Sequence, residues 1–275
     1  PTDWSVHTLC DSHRLTPAIR RHWVEPLCLS ALNTDLHQAS ASVFLRVLQD
    51  ALLSGPGGSD FLIPTTDLSQ VFPDAALAWL EAHGANIQMG RSVDPEDLNL
   101  MLSEPGPIVL ATPWRQAALL THRHAPAWST QAQALQPRSI ATVYLRIRDE
   151  GYRGLPRPIL ALECDAPQDT AHDMNMHQNG PAQFVFCRET LLGQPGVVAA
   201  VVSDCRLSRE AVALQVREQI RQQLGWQEVD VLQTLIDKHA TFACTPGLQR
   251  PCASIAPSLW ACGDYVDGPY PATLE

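Results

Sequence analysis

The sequence predicts an α/β fold, and three features carry the prediction. Apolar residues recur at helical spacing through the first third of the chain. Short apolar or alternating runs then follow one another between residues 108 and 203. A strongly periodic helix and one last apolar strand come after them. Helices interleaved with strands in this way make a layered α/β architecture. At 275 residues the chain amounts to one large domain or two modest ones, taking about 150 residues per domain.

Thr16-Pro17 opens a helix, with Thr as cap and Pro at the first helical position. Ile19, Trp23, Leu27 and Ala31 extend it as an apolar stripe to Leu32, and Pro26 predicts a kink or break inside it. Asn33-Thr34-Asp35 is turn chemistry. A second helix is expected from about Gln38 to Leu53, stopped by Gly55-Pro56-Gly57-Gly58. A third runs from Pro73 to His83, with Gly84 past its end, and Ala85 to Met89 then reads as a strand.

Ile108 to Ala111 is a short, wholly apolar strand of the kind found in a parallel sheet covered on both faces. Ser139 to Ile147 alternates and predicts a half-buried strand. Ile159 to Glu163, Gln183 to Cys187 and Val197 to Ser203 are further strands joined by Gly/Pro turns. From Ser208 to Leu224 runs the clearest helix, capped by Ser208, striped by Val212, Val216, Ile220 and Leu224, and ended by Gly225. Leu259 to Cys262 is the last strand, leading into Gly263-Asp264.

Composition narrows the function classes. The formal charge is -10 with no basic run, which disfavours a phosphate-backbone partner such as nucleic acid. The longest clean apolar run, Val197 to Val202, is far below the roughly 18 residues of a membrane helix. Arg20-Arg21 and Arg146-Ile147-Arg148 read either as solvated faces or as a membrane-facing entry for a lipid substrate. Eight cysteines form no C-x-x-C and mostly adjoin apolar residues, which implies reduced thiols and a cytoplasmic setting. The His122/His124 and His172/His177 pairs lack metal-ligand spacing, so no metal is expected.

The chemistry concentrates at the C-terminus. There a buried strand ends in Gly263-Asp264, a loop follows, and Pro271 fits the first position of a helix. In open α/β sheets ligands bind beyond the carboxyl ends of the strands. Glycine there lets a ligand approach the backbone, and the Asp can accept hydrogen bonds from sugar or ribityl hydroxyls. The N-terminus of the new helix suits a pyrophosphate or an anionic flavin ring. The competing reading is a strand-turn-helix in which Asp264 serves only as a cap.

Several motifs together resemble one family. They are Trp23-Val24-Glu25-Pro26-Leu27-Cys28-Leu29-Ser30-Ala31-Leu32-Asn33-Thr34, Gly58-Ser59-Asp60, Pro64-Thr65-Thr66-Asp67-Leu68-Ser69, Ala111-Thr112-Pro113, Gln183-Phe184-Val185-Phe186-Cys187-Arg188, Ala240 to Gly247, and Gly263 through Glu275. The chain resembles the squalene-associated FAD-dependent desaturases, read as hydroxysqualene dehydroxylases, within the flavin amine oxidase and phytoene desaturase superfamily. The resemblance covers nearly the whole chain.

The resemblance implies a partial FAD-binding Rossmann-like domain interleaved with a substrate domain of mixed sheet plus helices. Residues 86–128 and 241–275 would be flavin-domain segments. Residues 1–85 would be the helical part of the substrate domain and 129–240 its sheet plus helix. Gly263 and Asp264 would contact the ribityl-pyrophosphate part of FAD. Pro271, Ala272 and Thr273 would lie near the isoalloxazine ring, and Ala111, Thr112 and Pro113 near the dinucleotide.

There are departures from the family pattern. No G-x-G-x-x-G occurs, since Gly55-Pro56-Gly57-Gly58 follows a helix, so the chain is expected to be a fragment lacking the first dinucleotide-binding βαβ unit. The terminal helix stops at Glu275, short of the family's Gly-Ala and Ser-Gly. Val93 and Ile108 are closer together than the family's hairpin requires.

The implied reaction is reductive dehydroxylation of hydroxysqualene to squalene, a step toward hopanoids and sterols. An acid assists departure of the allylic hydroxyl and reduced flavin delivers hydride. Asp267 and Tyr270 are the titratable side chains nearest the presumed ring, and are the candidate acids. Such an apolar substrate needs an apolar tunnel. Trp23, Leu27, Leu29, Leu32, Phe44 and Leu48 are candidates for its wall, against the plainer reading of that stripe as core. Two alternatives stay open. One is a carotenoid desaturase or flavin amine oxidase, with hydride flowing the other way. The other is a non-catalytic fragment or apolar-lipid binder.

Overall fold

The computed structural model describes residues 3–164 and 180–271. The N-terminal part is helical: α1 (Val6–Ser12), α2 (Pro17–Ile19), α3 (Glu25–Leu32) and α4 (Ala41–Leu52). The break expected at Pro26 is a π-helical turn, Arg20–Val24, in which the Glu25 amide reaches back five residues to the Arg20 carbonyl. Pro26 has no amide to donate, and its ring crowds the carbonyl four residues earlier. The wider turn absorbs that mismatch without ending the helix. Ser40 caps α4, its Oγ accepting from the Val43 amide at 3.1 Å. Helices α1, α3 and α4 close a small core of Val6, Cys10, Cys28, Leu32, Leu36 and Phe44, which Cys244 completes from the far end of the chain.

Next come α5 (Leu68–Val71) and α6 (Pro73–Ala82), neither of which buries a residue. The strand expected over Ala85 to Met89 does not form. Those residues are almost wholly exposed, and a strand without a partner leaves its amides to water. In its place α7 (Pro95–Ser103) begins with a capping box between Asp94 and Asp97.

Strand β1 (Ile108–Leu110), α8 (Trp114–Thr121) and α9 (Pro126–Gln133) follow. The large sheet and its helices come from β2 (Pro137–Ile147), β3 (Ile159–Ala161), β4 (Phe184–Cys187), α10 (Arg188–Leu192), β5 (Val197–Ser203), α11 (Arg209–Leu224) and β6 (Val229–Phe242). Strands β7 (Ser254–Ala256) and β8 (Leu259–Ala261) end the described elements.

The fold is α/β with two sheets. The five-stranded sheet, in the order β3-β4-β5-β2-β6, is antiparallel throughout. Helix α11 packs Val212, Val216 and Ile220 against the inward positions Ala141, Val143 and Leu145 of β2, and each fully buried aliphatic chain contributes about 1.5–3 kcal/mol. The three-stranded sheet, β1-β8-β7, is mixed. Its β1–β8 pair is parallel, in the register Ile108–Leu259, Val109–Trp260 and Leu110–Ala261. One face of β1 is open, with Val109 59% exposed, so the expectation of cover on both faces fails at this edge strand.

A separate core sits between this sheet and α7, α8 and α9. It contains Leu98, Trp114, Trp128, Phe242, Leu259 and Tyr265. Cys10, Cys28, Cys187, Cys205 and Cys244 are buried thiols. Burial raises the Cys28 thiol well above its ordinary value, as expected of a small hydrophobe.

Candidate cofactor site at the ends of two parallel strands

Because β1 and β8 are parallel neighbours, their carboxyl ends lie side by side. Two sequence motifs 150 residues apart therefore meet: Ala111-Thr112-Pro113 leaves β1 where Gly263-Asp264 leaves β8. The Cys262 amide donates to the Leu110 carbonyl at 3.0 Å and holds the two exits together. This is the crevice position at which α/β sheets receive ligands. From β1 the chain turns through Pro113 into α8, whose first turn has no side-chain cap. Uncapped first-turn amides of this kind can receive an anion. Thr112 Oγ1 and Trp114 Nε1 are buried with no hydrogen-bond partner among the described residues. Buried polar atoms of that kind call for a partner.

On the β8 side, Gly263 is exposed but tightly backed. A Cβ there would lie 2.8 Å from Tyr265 Cε1 and 3.1 Å from its Cδ1. The Tyr265 ring fills the core below, 1% exposed, edge-on to Trp128 at 6.4 Å. Burial pushes the Tyr265 phenol up to about 12, so it stays protonated. Asp264 is half-buried, and burial raises its carboxyl. The Tyr265 amide, its own amide and the Arg250 charge act in the opposite direction. The carboxylate thus serves the turn it starts while remaining at the loop surface.

Arg250 shapes the loop. Its Nη1 donates to the Asp264 carbonyl at 3.0 Å and its Nη2 to the Gly268 carbonyl. The Asp267 amide donates to the Pro251 carbonyl at 2.8 Å. Nothing in the sequence singles out Arg250 or Tyr265. Both act through contacts made at the turn, which only the folded chain defines.

The candidate residues divide as follows. Gly263, Asp264, Ala111, Thr112 and Pro113 converge at the strand ends. Asp267 is exposed on the same loop. Tyr270 is half-buried further along it, close enough to α4 to act on the charge of Arg46. Pro271 ends the described loop, while Ala272 and Thr273, with the helix expected there, lie outside the described residues. The proposed tunnel wall does not hold together as one surface. Leu29, Leu32 and Phe44 are core residues, Leu27 and Leu48 pack against that core, and Trp23 stands 68% exposed. Helical spacing put these residues on one stripe, but only its later part, Leu27 and Leu32, packs into the core with Phe44 of α4, while Ile19 and Trp23 stay exposed.

An α/β chain with paired parallel strand ends and an uncapped helix beside them defines a fold class rather than an activity. A solved oxidoreductase from Methanosarcina mazei has this fold. It superposes with a TM-score of 0.60 over all of this chain and 66% of its own, at 12% identity. In sequence, the chain is similar to the hydroxysqualene dehydroxylase of Rhodopseudomonas palustris, 26% identical over 271 residues that span 92% of this chain. The chain is thus related to that enzyme, as its motifs suggest, and it spans 58% of the relative's length. No family model matches it.

Proposed function

We propose that this chain is part of an FAD-dependent oxidoreductase that reductively dehydroxylates hydroxysqualene to squalene. One observation carries the reading: Ala111-Thr112-Pro113 and Gly263-Asp264, motifs that resemble the family's cofactor contacts, leave the adjacent carboxyl ends of the parallel strands β1 and β8. Similarity to a hydroxysqualene dehydroxylase along 92% of the chain supports the choice of substrate. On this reading residues 86–128 and 241–275 form the flavin-binding unit, and residues 1–85 and 129–240 form the substrate unit.

The donor set fits FAD. The first-turn amides of α8, which have no side-chain cap, would meet the pyrophosphate, and Thr112 Oγ1 supplies a buried hydroxyl without a partner among the described residues. Asp264 would accept from ribityl hydroxyls, and the lack of a side chain at Gly263 lets the ligand reach the strand end. When bound, the flavin supplies the hydride. Asp267 or Tyr270, on the loop that leaves this crevice, would give the proton that lets the hydroxyl depart as water. The hydrocarbon remainder needs a water-free path. Exposed apolar side chains are plentiful in the helical segment, including Phe61, Leu62, Leu68, Phe72 and Trp79. No helix among the described residues is long and apolar enough to cross a membrane. Contact at a membrane surface, where such a substrate would reside, is part of the proposal.

The test has two readouts. Titration of FAD into the chain, followed by quenching of flavin fluorescence, is expected to saturate and to weaken at least tenfold in Thr112→Val. Anaerobic incubation of the flavin-loaded protein with reductant and hydroxysqualene is expected to yield squalene. Conversion of phytoene to a desaturated product, with no squalene formed, would reverse the assigned direction of hydride transfer.

A further inference from the structure

A second polar cavity lies on the five-stranded sheet, away from the β1–β8 crevice, and it concentrates positive charge in a chain of net charge -10. Its volume is about 410 Å3, and Gln38, Arg138, Ser139, Asp204, Arg206 and Lys238 line it. A slip in the β2–β6 ladder builds it. Arg138 pairs with Thr241 and Ile140 with Asp237, so residues 238–240 stand opposite Ser139 alone. The bulged strand turns Lys238 into the cavity wall.

Asp204 organises the other cations. It is 3% exposed, with Oδ2 at 2.9 Å from Arg206 Nη2 and Oδ1 at 3.7 Å from Arg138 Nη1. Its backbone has a φ of 45°, uncommon for a residue with a side chain, and its amide donates to Asn33 Oδ1 at 2.5 Å. One buried carboxylate thus fixes two guanidiniums at the cavity wall. Arg138, Arg206 and Lys238 thus share the lining with one carboxylate, Asp204. Arg138 Nε is buried with no hydrogen-bond partner among the described residues, although Nη2 of the same group donates to Gln38 Oε1. An array of cationic N–H donors held on one wall of a polar cavity matches a polyvalent oxyanion.

We propose that this cavity binds a phosphate-type oxyanion, with diphosphate as the fullest match to its three cations. The site is independent of the flavin reading. It would bind whether or not the β1–β8 crevice holds FAD, because the two lie on different sheets.

Lys238 is the single lysine in the sequence, which makes the test specific. Reductive methylation with carbon-13 formaldehyde keeps its charge and gives one lysine resonance. Inorganic diphosphate is expected to shift that resonance saturably, and to slow methylation of the unlabelled chain about tenfold when added beforehand. By calorimetry, Lys238→Gln is expected to bind diphosphate at least tenfold more weakly. The exposed Lys238 lets this variant fold as the parent does. A parallel arm uses phosphatidic acid vesicles against phosphatidylcholine vesicles. Lysine-dependent retention on the former assigns the phosphate to a lipid headgroup, and saturation by diphosphate alone assigns it to a soluble ligand. If neither diphosphate nor phosphatidic acid perturbs Lys238, or if Lys238→Gln binds as the parent does, the proposal is overturned.

Discussion

The end of the first long motif and the motif from Gly263, both of which carry the resemblance, are used in opposite ways. Leu32-Asn33-Thr34 and the adjoining Asp35 are buried, whereas most of the run from Gly263 to Pro271 reaches the surface. Asn33 has a φ of 45° and is a three-way stitch. Its Nδ2 donates to Thr241 Oγ1 at 2.9 Å and to the Ser139 carbonyl at 3.3 Å, and its Oδ1 accepts from the Asp204 amide. Thr34 Oγ1 accepts from the Cys244 amide at 3.1 Å. That motif fastens the helical segment to the antiparallel sheet. The Gly263 loop is held from beneath by Tyr265 and Arg250 and keeps its polar groups at the surface. Burial decides whether a motif serves the fold or stays open to chemistry.

That contrast breaks first at Asn33. Asn33→Ala strands the Asp204 amide and places an alanine at positive φ. The expected cost is about 2–4 kcal/mol in chemical denaturation, with flavin affinity unchanged in the molecules that remain folded. A loss under 0.5 kcal/mol would show that the stitch is dispensable.

Asp267→Asn tests the other side. If Asp267 is the acid, dehydroxylation slows by about 100-fold or more while the melting temperature holds, because the side chain is exposed. Unchanged turnover moves the role to Tyr270, for which Tyr270→Phe is the matching measurement.

Gly263→Ala sharpens the contrast, since here fold and ligand share one atom position. The added methyl meets the Tyr265 ring, so a destabilisation of about 1–3 kcal/mol is expected together with weaker FAD binding. Pairing it with Tyr265→Leu should recover stability if that contact is the cause.

The smallest effect concerns Asp264. Burial raises its folded carboxyl above the unfolded value, so the folded state holds the proton more tightly. Its contribution is therefore most favourable below the unfolded value and declines as pH rises through the folded one. Asp264→Asn should flatten that decline and leave the protein equally or slightly more stable at neutral pH, with reduced affinity for FAD. Equilibrium unfolding from pH 3 to 7 reads this directly. A parent whose stability rises across that window relative to the Asn variant would place the carboxylate in a stabilising pair instead.

Much of the architecture was legible beforehand. Caps at Thr16 and Ser208, the helix expected from about Gln38 to Leu53, the stripe of α11 and the alternation of β2 are local patterns, and the structure forms those elements within a few residues of the expected ends. Strand β6 was not legible. It is an edge strand, largely exposed, and its alternation is broken by the two slips against β2. Ala85 to Met89 had the composition of a strand and no strand to pair with among the described residues. The same limit applied to the site, where the motifs were visible but Arg250, Tyr265 and the cations around Asp204 were not.

Residue order alone determined where helices start, which faces they bury and which short motifs resemble a flavoenzyme family, because caps, periodicity and motif spacing act over a few neighbouring residues. Only the tertiary structure decided that residue 111 would meet residue 263, that Asn33 would be a fastener, and that three cations would gather beside Asp204. Those outcomes depend on strand pairing and register between distant segments, which local chemistry does not encode.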